Sequence, residues 1–323
     1  MAEKRKVVID CDTGVDDAMA LLLCLKRLDV VGITTVGGNV GLANTQRNTR
    51  YVTEVTGCTD VPVFAGYARP LLVPLQDASY VHGAGGLGNI SVPEPKKPLE
   101  KQHAVDFIIE TFMTRDDVSL ITLGPLTNIA QALLKEPRLA GRIPEILTMG
   151  GSTTGGNATP AAEFNIFVDP EAAKLVFESG IPIRMVGLNL TRQQVATAEM
   201  MRRVKAIPNP VAQFAALLFG DREGKPGRDS FCDACAVMWM IDPSVITKSA
   251  RMHVTVETKG EFTRGMTLCD TRGFRSSRPQ ADIEHEFLFE PLPKGAEPNV
   301  EVALVLDQAR FDQVMPETLA QYS

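Results

Sequence analysis

Val7-Val8-Ile9-Asp10-Cys11-Asp12-Thr13-Gly14-Val15-Asp16-Asp17-Ala18 decides how the rest of the chain is read. Three β-branched residues open it, which suits a short buried strand. Met19, Ala20, Leu21, Leu22 and Leu23 carry it on as an apolar helix. The four carboxylates in between therefore fall at a strand-to-helix turn, at the edge of an open α/β sheet where ligands bind. Acids crowded this way repel one another unless a positive charge sits among them. Capping and the helix dipole account for Asp16 or Asp17, but not for Asp10 and Asp12 on the strand side. A hard divalent cation held by oxygen, Ca²⁺ or Mg²⁺, accounts for the whole cluster.

Downstream, strand-like and helix-like runs alternate, which predicts one α/β domain over residues 1–323 with a mostly parallel central sheet flanked by helices. Strands are expected at Val30–Val36, Pro62–Gly66, Val118–Leu123, Ile146–Met149, Ile181–Val186, His253–Val256 and Val300–Leu306. Helices are expected near 43–55, 103–113, 170–179, 196–220 (two), 233–240 and around Phe311, with a long Gly-rich loop over 70–93. The polar clusters Asp10–Asp17, Gly37–Asn39, Leu123–Asn128 and Met149–Asn165 each follow a strand. In a parallel sheet such points share one edge, so the clusters are expected to meet in a single pocket.

Bulk properties narrow the function. The 323 residues carry a net charge of −6, with no basic stripe, which argues against nucleic acid as a partner. No apolar stretch approaches a membrane span. The charged start, Met1-Ala2-Glu3-Lys4-Arg5-Lys6, does not read as a signal peptide. Six scattered cysteines suit reduced thiols, and a cytoplasmic location is expected.

The opening motif, Thr34-Thr35-Val36-Gly37-Gly38-Asn39, Gly124-Pro125-Leu126-Thr127-Asn128, Met149-Gly150-Gly151, Ala162-Glu163-Phe164-Asn165 and Asp169-Pro170-Glu171-Ala172-Ala173 together resemble the nucleoside hydrolases of the inosine–uridine type. The resemblance implies Ca²⁺ and hydrolysis of a ribonucleoside to ribose and free base. It implies Asp12 as general base and metal ligand, with Asp17, Asp233 and the backbone carbonyl of Leu123 as further ligands. It places Asp16 and Asn165 on the ribose 2′-hydroxyl, Asp233 on the 3′-hydroxyl, and Asn157 and Glu163 on the 5′-hydroxyl. Asn39 and His82 are expected near the sugar, and Met149 and Phe164 on the pocket wall. A homodimer or homotetramer is implied as well. Taken singly, Asn39 and Asn157 also read as turn residues, His82 as a solvated histidine, and Met149 and Phe164 as core.

The chain departs from the family's pattern once. Many members carry a histidine just before the last metal-binding aspartate, and Cys232 stands there. Cys232 reads as a leaving-group acid, since an ordinary thiol is protonated at neutral pH. It also reads as a small buried bystander, or as half of a Cys232/Cys235 redox or zinc pair. Two other functions are weighed: a nucleoside- or ribose-binding protein without turnover, and a haloacid dehalogenase-type phosphatase with Asp10 as nucleophile. The latter leaves Asp16-Asp17 and Glu163-Phe164-Asn165 without a purpose. Residues 221–230, containing Arg222 and Arg228, are expected to form a lid over the base.

Overall fold

The computed structural model describes residues 4–220, 230–271 and 297–323. Its strands are β1 (Lys6–Cys11), β2 (Asp29–Thr35), β3 (Val63–Ala65), β4 (Val118–Thr122), β5 (Ile146–Met149), β6 (Ile183–Val186), β7 (Ile246–Met252), β8 (Val254–Val256), β9 (Thr267–Cys269) and β10 (Val300–Leu306). Eight of them form one sheet in the order β3-β2-β1-β4-β5-β6-β10-β7, and β8 pairs with β9 apart from it. Every neighbouring pair in the large sheet is parallel except β10 with β7. The expected mostly parallel sheet flanked by helices is what the chain builds.

β1 lies inside the sheet because Val7, Val8, Ile9 and Cys11 are apolar and buried, and a strand buried on both faces needs helices on both sides. Val7, Ile9 and Cys11 join one core and Val8 the other, following the twofold alternation of a strand. The helix Val15–Arg27 lies in the first core, buried from Ala18 to Leu25, and packs against the helix Cys232–Ile241. This pairing brings Asp233, from the far end of the chain, beside the opening motif. On the other face the helices Ala104–Thr114, Thr127–Lys135 and Pro170–Phe177 close the second core.

Several elements differ from expectation, the short strand β9 among them. The 70–93 loop contains a helical turn, Ser79–His82. Short helices Phe164–Val168 and Leu188–Thr191 follow the fifth and sixth strands. β7 was not expected because its half-exposed polar residues carry little strand pattern, and it is held by antiparallel pairing with β10. Among the described residues no helix is long and apolar enough to cross a membrane.

Asp10 lies within the sheet, fully buried, and does not line the pocket described below. Its Oδ1 accepts from Thr34 Oγ1 at 2.6 Å and from Asn128 Nδ2 at 2.7 Å. Asn128 also donates to Thr35 O (3.1 Å) and accepts from Tyr67 N (2.9 Å). One side chain thus ties β1, β2, the segment after β3 and the helix after β4. Burial pushes the Asp10 carboxyl up to about 7 although Asn128 and Thr34 donate to it. A carboxyl so enclosed serves as an anchor rather than a nucleophile. Asn128→Ala strips donors and acceptors from buried partners, and is expected to lower stability by about 2–4 kcal/mol. Urea unfolding measures this, and a change below about 0.5 kcal/mol would contradict the anchoring role.

Candidate active site

The C-terminal ends of β1, β2, β4 and β5 open into a cavity of about 360 Å³. Eleven of the thirteen residues singled out in the sequence line it: Asp16, Asn39, His82, Leu123, Met149, Asn157, Glu163, Phe164, Asn165, Cys232 and Asp233. The other two, Asp12 and Asp17, are fully buried close by. The expected convergence on one sheet edge is realised.

Asp17 sits in the first turn of its helix, where Oδ2 accepts Gly14 N (2.9 Å) and Asn39 Nδ2 (2.8 Å), and Oδ1 accepts Asp12 N (3.2 Å). Asp12 Oδ2 accepts Asn39 N at 2.7 Å, while its buried Oδ1 has no hydrogen-bond partner among the described residues. Carboxylate oxygens of Asp16, Asp17 and Asp233 lie within 4.8 Å of one another. Asp12 is not in that tightest triad but bonds to Asp17. Burial, then Asp17, raises Asp12 well above the usual carboxylate range. Burial, then Asp16, raises Asp17, and burial, then Asp17, Asp16 and Asp12, raises Asp233. All three shifts come first from burial and then from the neighbouring acids.

Asn39 is more than a turn residue, since its side chain and backbone hold two of these acids. His82 is buried rather than solvated; its Nδ1 accepts Val15 N at 3.2 Å and lies 3.8 Å from Asp16 Oδ1. Glu163, also lining the cavity, caps the helix Phe164–Val168, accepting Asn165 N, Ile166 N and Gly151 N. Burial still pushes its carboxyl up to about 7. Asn165 Nδ2 donates to Leu123 O (2.8 Å) and Met149 O (3.1 Å), fixing the Leu123 carbonyl. Asn157 Oδ1 accepts Phe164 N (2.9 Å), so it closes its own loop and lines the cavity too.

A sequence profile described as "Inosine-uridine preferring nucleoside hydrolase" matches residues 7–313. The chain belongs to this family. It is 41% identical over 286 residues to the inosine-uridine preferring nucleoside hydrolase of Leishmania major, covering 85% of this chain and 90% of that one. It is 36% identical to the pyrimidine-specific ribonucleoside hydrolase RihA of Shewanella woodyi, covering 99% of each. Among solved structures, the plant nucleoside hydrolase PpNRh1 superposes with a TM-score of 0.87 at 30% identity, covering 98% of this chain and 99% of that one. Nucleoside hydrolases act on N-glycosyl bonds, and the phosphatase reading falls with this match.

The donor set fits a hard cation. The triad offers carboxylate oxygen alone, and the orphaned Asp12 Oδ1 adds a buried acceptor beside it. Glycines press against Asp12 from two sides: a Cβ on Gly38 would fall inside its carboxylate, and one on Gly124 would lie 2.7 Å from Oδ1.

The sequence reading missed Tyr80, Val81, Ala78 and Ala158, which also line the cavity. The first three belong to the turn inside the 70–93 loop, for which only Asp77, whose Oδ1 accepts Ser79 N, gave a local signal. It missed Thr191 and Gln194 as well, which bond to Cys232 and Phe231 at the start of the helix Cys232–Ile241. The expected lid, with Arg222 and Arg228, falls on 221–229, outside the described residues; Ser230 lines the cavity.

Gly38→Ala displaces the Asp12 carboxylate, and if the acidic cluster holds a divalent cation with Asp12, this substitution is expected to weaken its binding about tenfold or more. Titration calorimetry decides, and unchanged affinity would remove Asp12 from the cation site.

Proposed function

We propose that the protein hydrolyses the N-glycosidic bond of ribonucleosides, releasing ribose and free base, with Ca²⁺ at the acidic cluster. One observation carries the reading. Asp16 and Asp233, with Asp12 and Asp17 buried close by, share with Glu163, Asn165 and Asn157 a cavity sized for a small polar ligand, not a polymer. A bound cation would supply the positive charge that orients and acidifies a water molecule. Asp12, Asp17, Asp233 and the Leu123 carbonyl would hold it.

The chain's own residues do the rest. Asp12 takes a proton from the attacking water as its oxygen bonds to C1′. The C1′–N bond breaks with its electron pair leaving on the base, and the sugar passes through an oxocarbenium-like state. Asp16 and Asn165 hold the 2′-hydroxyl, Asp233 the 3′-hydroxyl, and Asn157 and Glu163 the 5′-hydroxyl. Remote contacts of this kind provide the binding energy that distorts the sugar. Asn39 keeps Asp12 and Asp17 in place, and His82 flanks Asp16. Cys232, at the base end, gives its thiol proton to the departing base. Cytoplasmic nucleoside catabolism by a homodimer or homotetramer completes the reading.

Reducing-sugar release from inosine, adenosine, guanosine, uridine and cytidine, with and without chelator, tests it. At least one substrate is expected to turn over and to lose activity on chelation. Deoxyuridine, which leaves Asp16 and Asn165 without their partner, is expected to react at least about 100-fold more slowly than uridine. Nucleoside binding with no sugar released would favour the non-enzymatic alternative, and equal rates on uridine and deoxyuridine would reject the assigned 2′-hydroxyl contacts.

A further inference from the structure

The turn that follows β6 clasps the start of the Cys232 helix at three points. Ser230 Oγ donates to Thr191 O at 2.7 Å. Gln194 Oε1 accepts Phe231 N, at the cap of that helix, at 2.8 Å. Cys232 Sγ donates to Thr191 Oγ1 at 3.4 Å. Thr191 and Gln194 are buried, and neither lines the cavity, whereas Cys232 does. The hydroxyl therefore meets the sulfur from outside the cavity lining.

We infer that Thr191 is a positioning residue for protonation of the departing base, holding the Cys232 sulfur toward the cavity and steadying it once its proton has gone. The inference rests on the reading of Cys232 as leaving-group acid. A threonine hydroxyl suits the task because it accepts and donates, and its hydrogen rotates to match. Before reaction it accepts from the thiol. During reaction the thiol hydrogen turns to a base nitrogen or oxygen and is transferred as the C1′–N pair leaves. The Thr191 hydrogen then turns to the sulfur left negative. Water supplies hydroxide to C1′ and a proton to Asp12, and exchange with solvent discharges Asp12 and reprotonates Cys232, so the cycle closes without further reactants. No serine or threonine elsewhere among the described hydrogen bonds of Cys232 combines such burial with this placement; Ser230 Oγ is 3.9 Å away and is directed to Thr191 O.

The test compares Thr191→Val, Thr191→Ser, Cys232→Ala and the Thr191→Val/Cys232→Ala double variant on inosine and on p-nitrophenyl riboside, whose leaving group needs little protonation. Thr191→Val is expected to lower kcat on inosine about tenfold or more, as loss of a hydrogen bond to a charged group does. It should leave KM for inosine within about twofold and change kcat on p-nitrophenyl riboside far less. Thr191→Ser should restore the inosine rate. In the Cys232→Ala background Thr191→Val should add nothing, because the two residues act as one unit. Equal losses on both substrates, or additive losses in the double variant, would overturn the inference. A selective inosine defect in Cys232→Ala with none in Thr191→Val would overturn it while leaving Cys232 as the acid. Equal losses on both substrates in Cys232→Ala would remove the acid itself, and the inference with it.

Discussion

The whole site depends on the cost of gathering Asp12, Asp16, Asp17 and Asp233 at one buried point. Two like charges about 4 Å apart oppose each other by ~4 kcal/mol at an effective dielectric of about 20. A few such pairs rival the whole stability of a domain, which is about 5–15 kcal/mol. Hydrogen bonding offsets only part of this. Asn39 and Gly14 donate to Asp17, and Asn39 N donates to Asp12, yet all three of Asp12, Asp17 and Asp233 stay raised. Protons or a cation must carry the remainder. In the proposed function Ca²⁺ takes that task, and the same charge would then serve the chemistry of hydrolysis.

The fold exists around this point in a literal sense. β1 delivers Asp12 at its end because its apolar side chains need two cores, which places it inside the sheet. The helix Val15–Arg27 starts at Asp16 and Asp17 and is locked by Asp17 bonding back to Gly14. Packing of that helix on Cys232–Ile241 imports Asp233 from more than two hundred residues downstream. Asp10, one residue short of the strand's end, spends its hydrogen bonds on Thr34 and Asn128 and holds the strand ends in register. Two adjacent-looking carboxylates, Asp10 and Asp12, thus divide into an anchor and a site residue, because Asp10 is still inside β1, bonded to Thr34 and Asn128, whereas Asp12 lies just past the strand's end, where the backbone turns toward the helix Val15–Arg27.

Much of this was legible in the sequence, and the limits have physical causes. Strands such as Ile146–Met149 and helices such as 170–179 follow from apolar periodicity and capping, which are local. β7 is not local: its exposed polar residues become a strand only against β10. For the site, strand-end clusters were enough to bring Asp16, Asn39, Leu123 and Asn165 to one edge, and resemblance to a family supplied roles that spacing alone left open. The bland readings of His82 as solvated and Asn39 as a turn residue fail because burial depends on partners far away in sequence: Val15 for the one, Asp17 for the other. Thr191 and Gln194 carried no signal at all, since nothing near them in the chain reports that the turn after β6 folds against Cys232.

The central claim is that one cation takes over the charge deficit that protons otherwise fill. Calorimetric titration of the protein with Ca²⁺ near pH 6.5, repeated in buffers of different ionisation enthalpy, counts protons released on binding. Carboxyls held above their usual range must ionise to ligate, so the account predicts release of about one proton or more per Ca²⁺. Binding with no proton release, or no binding, would contradict it.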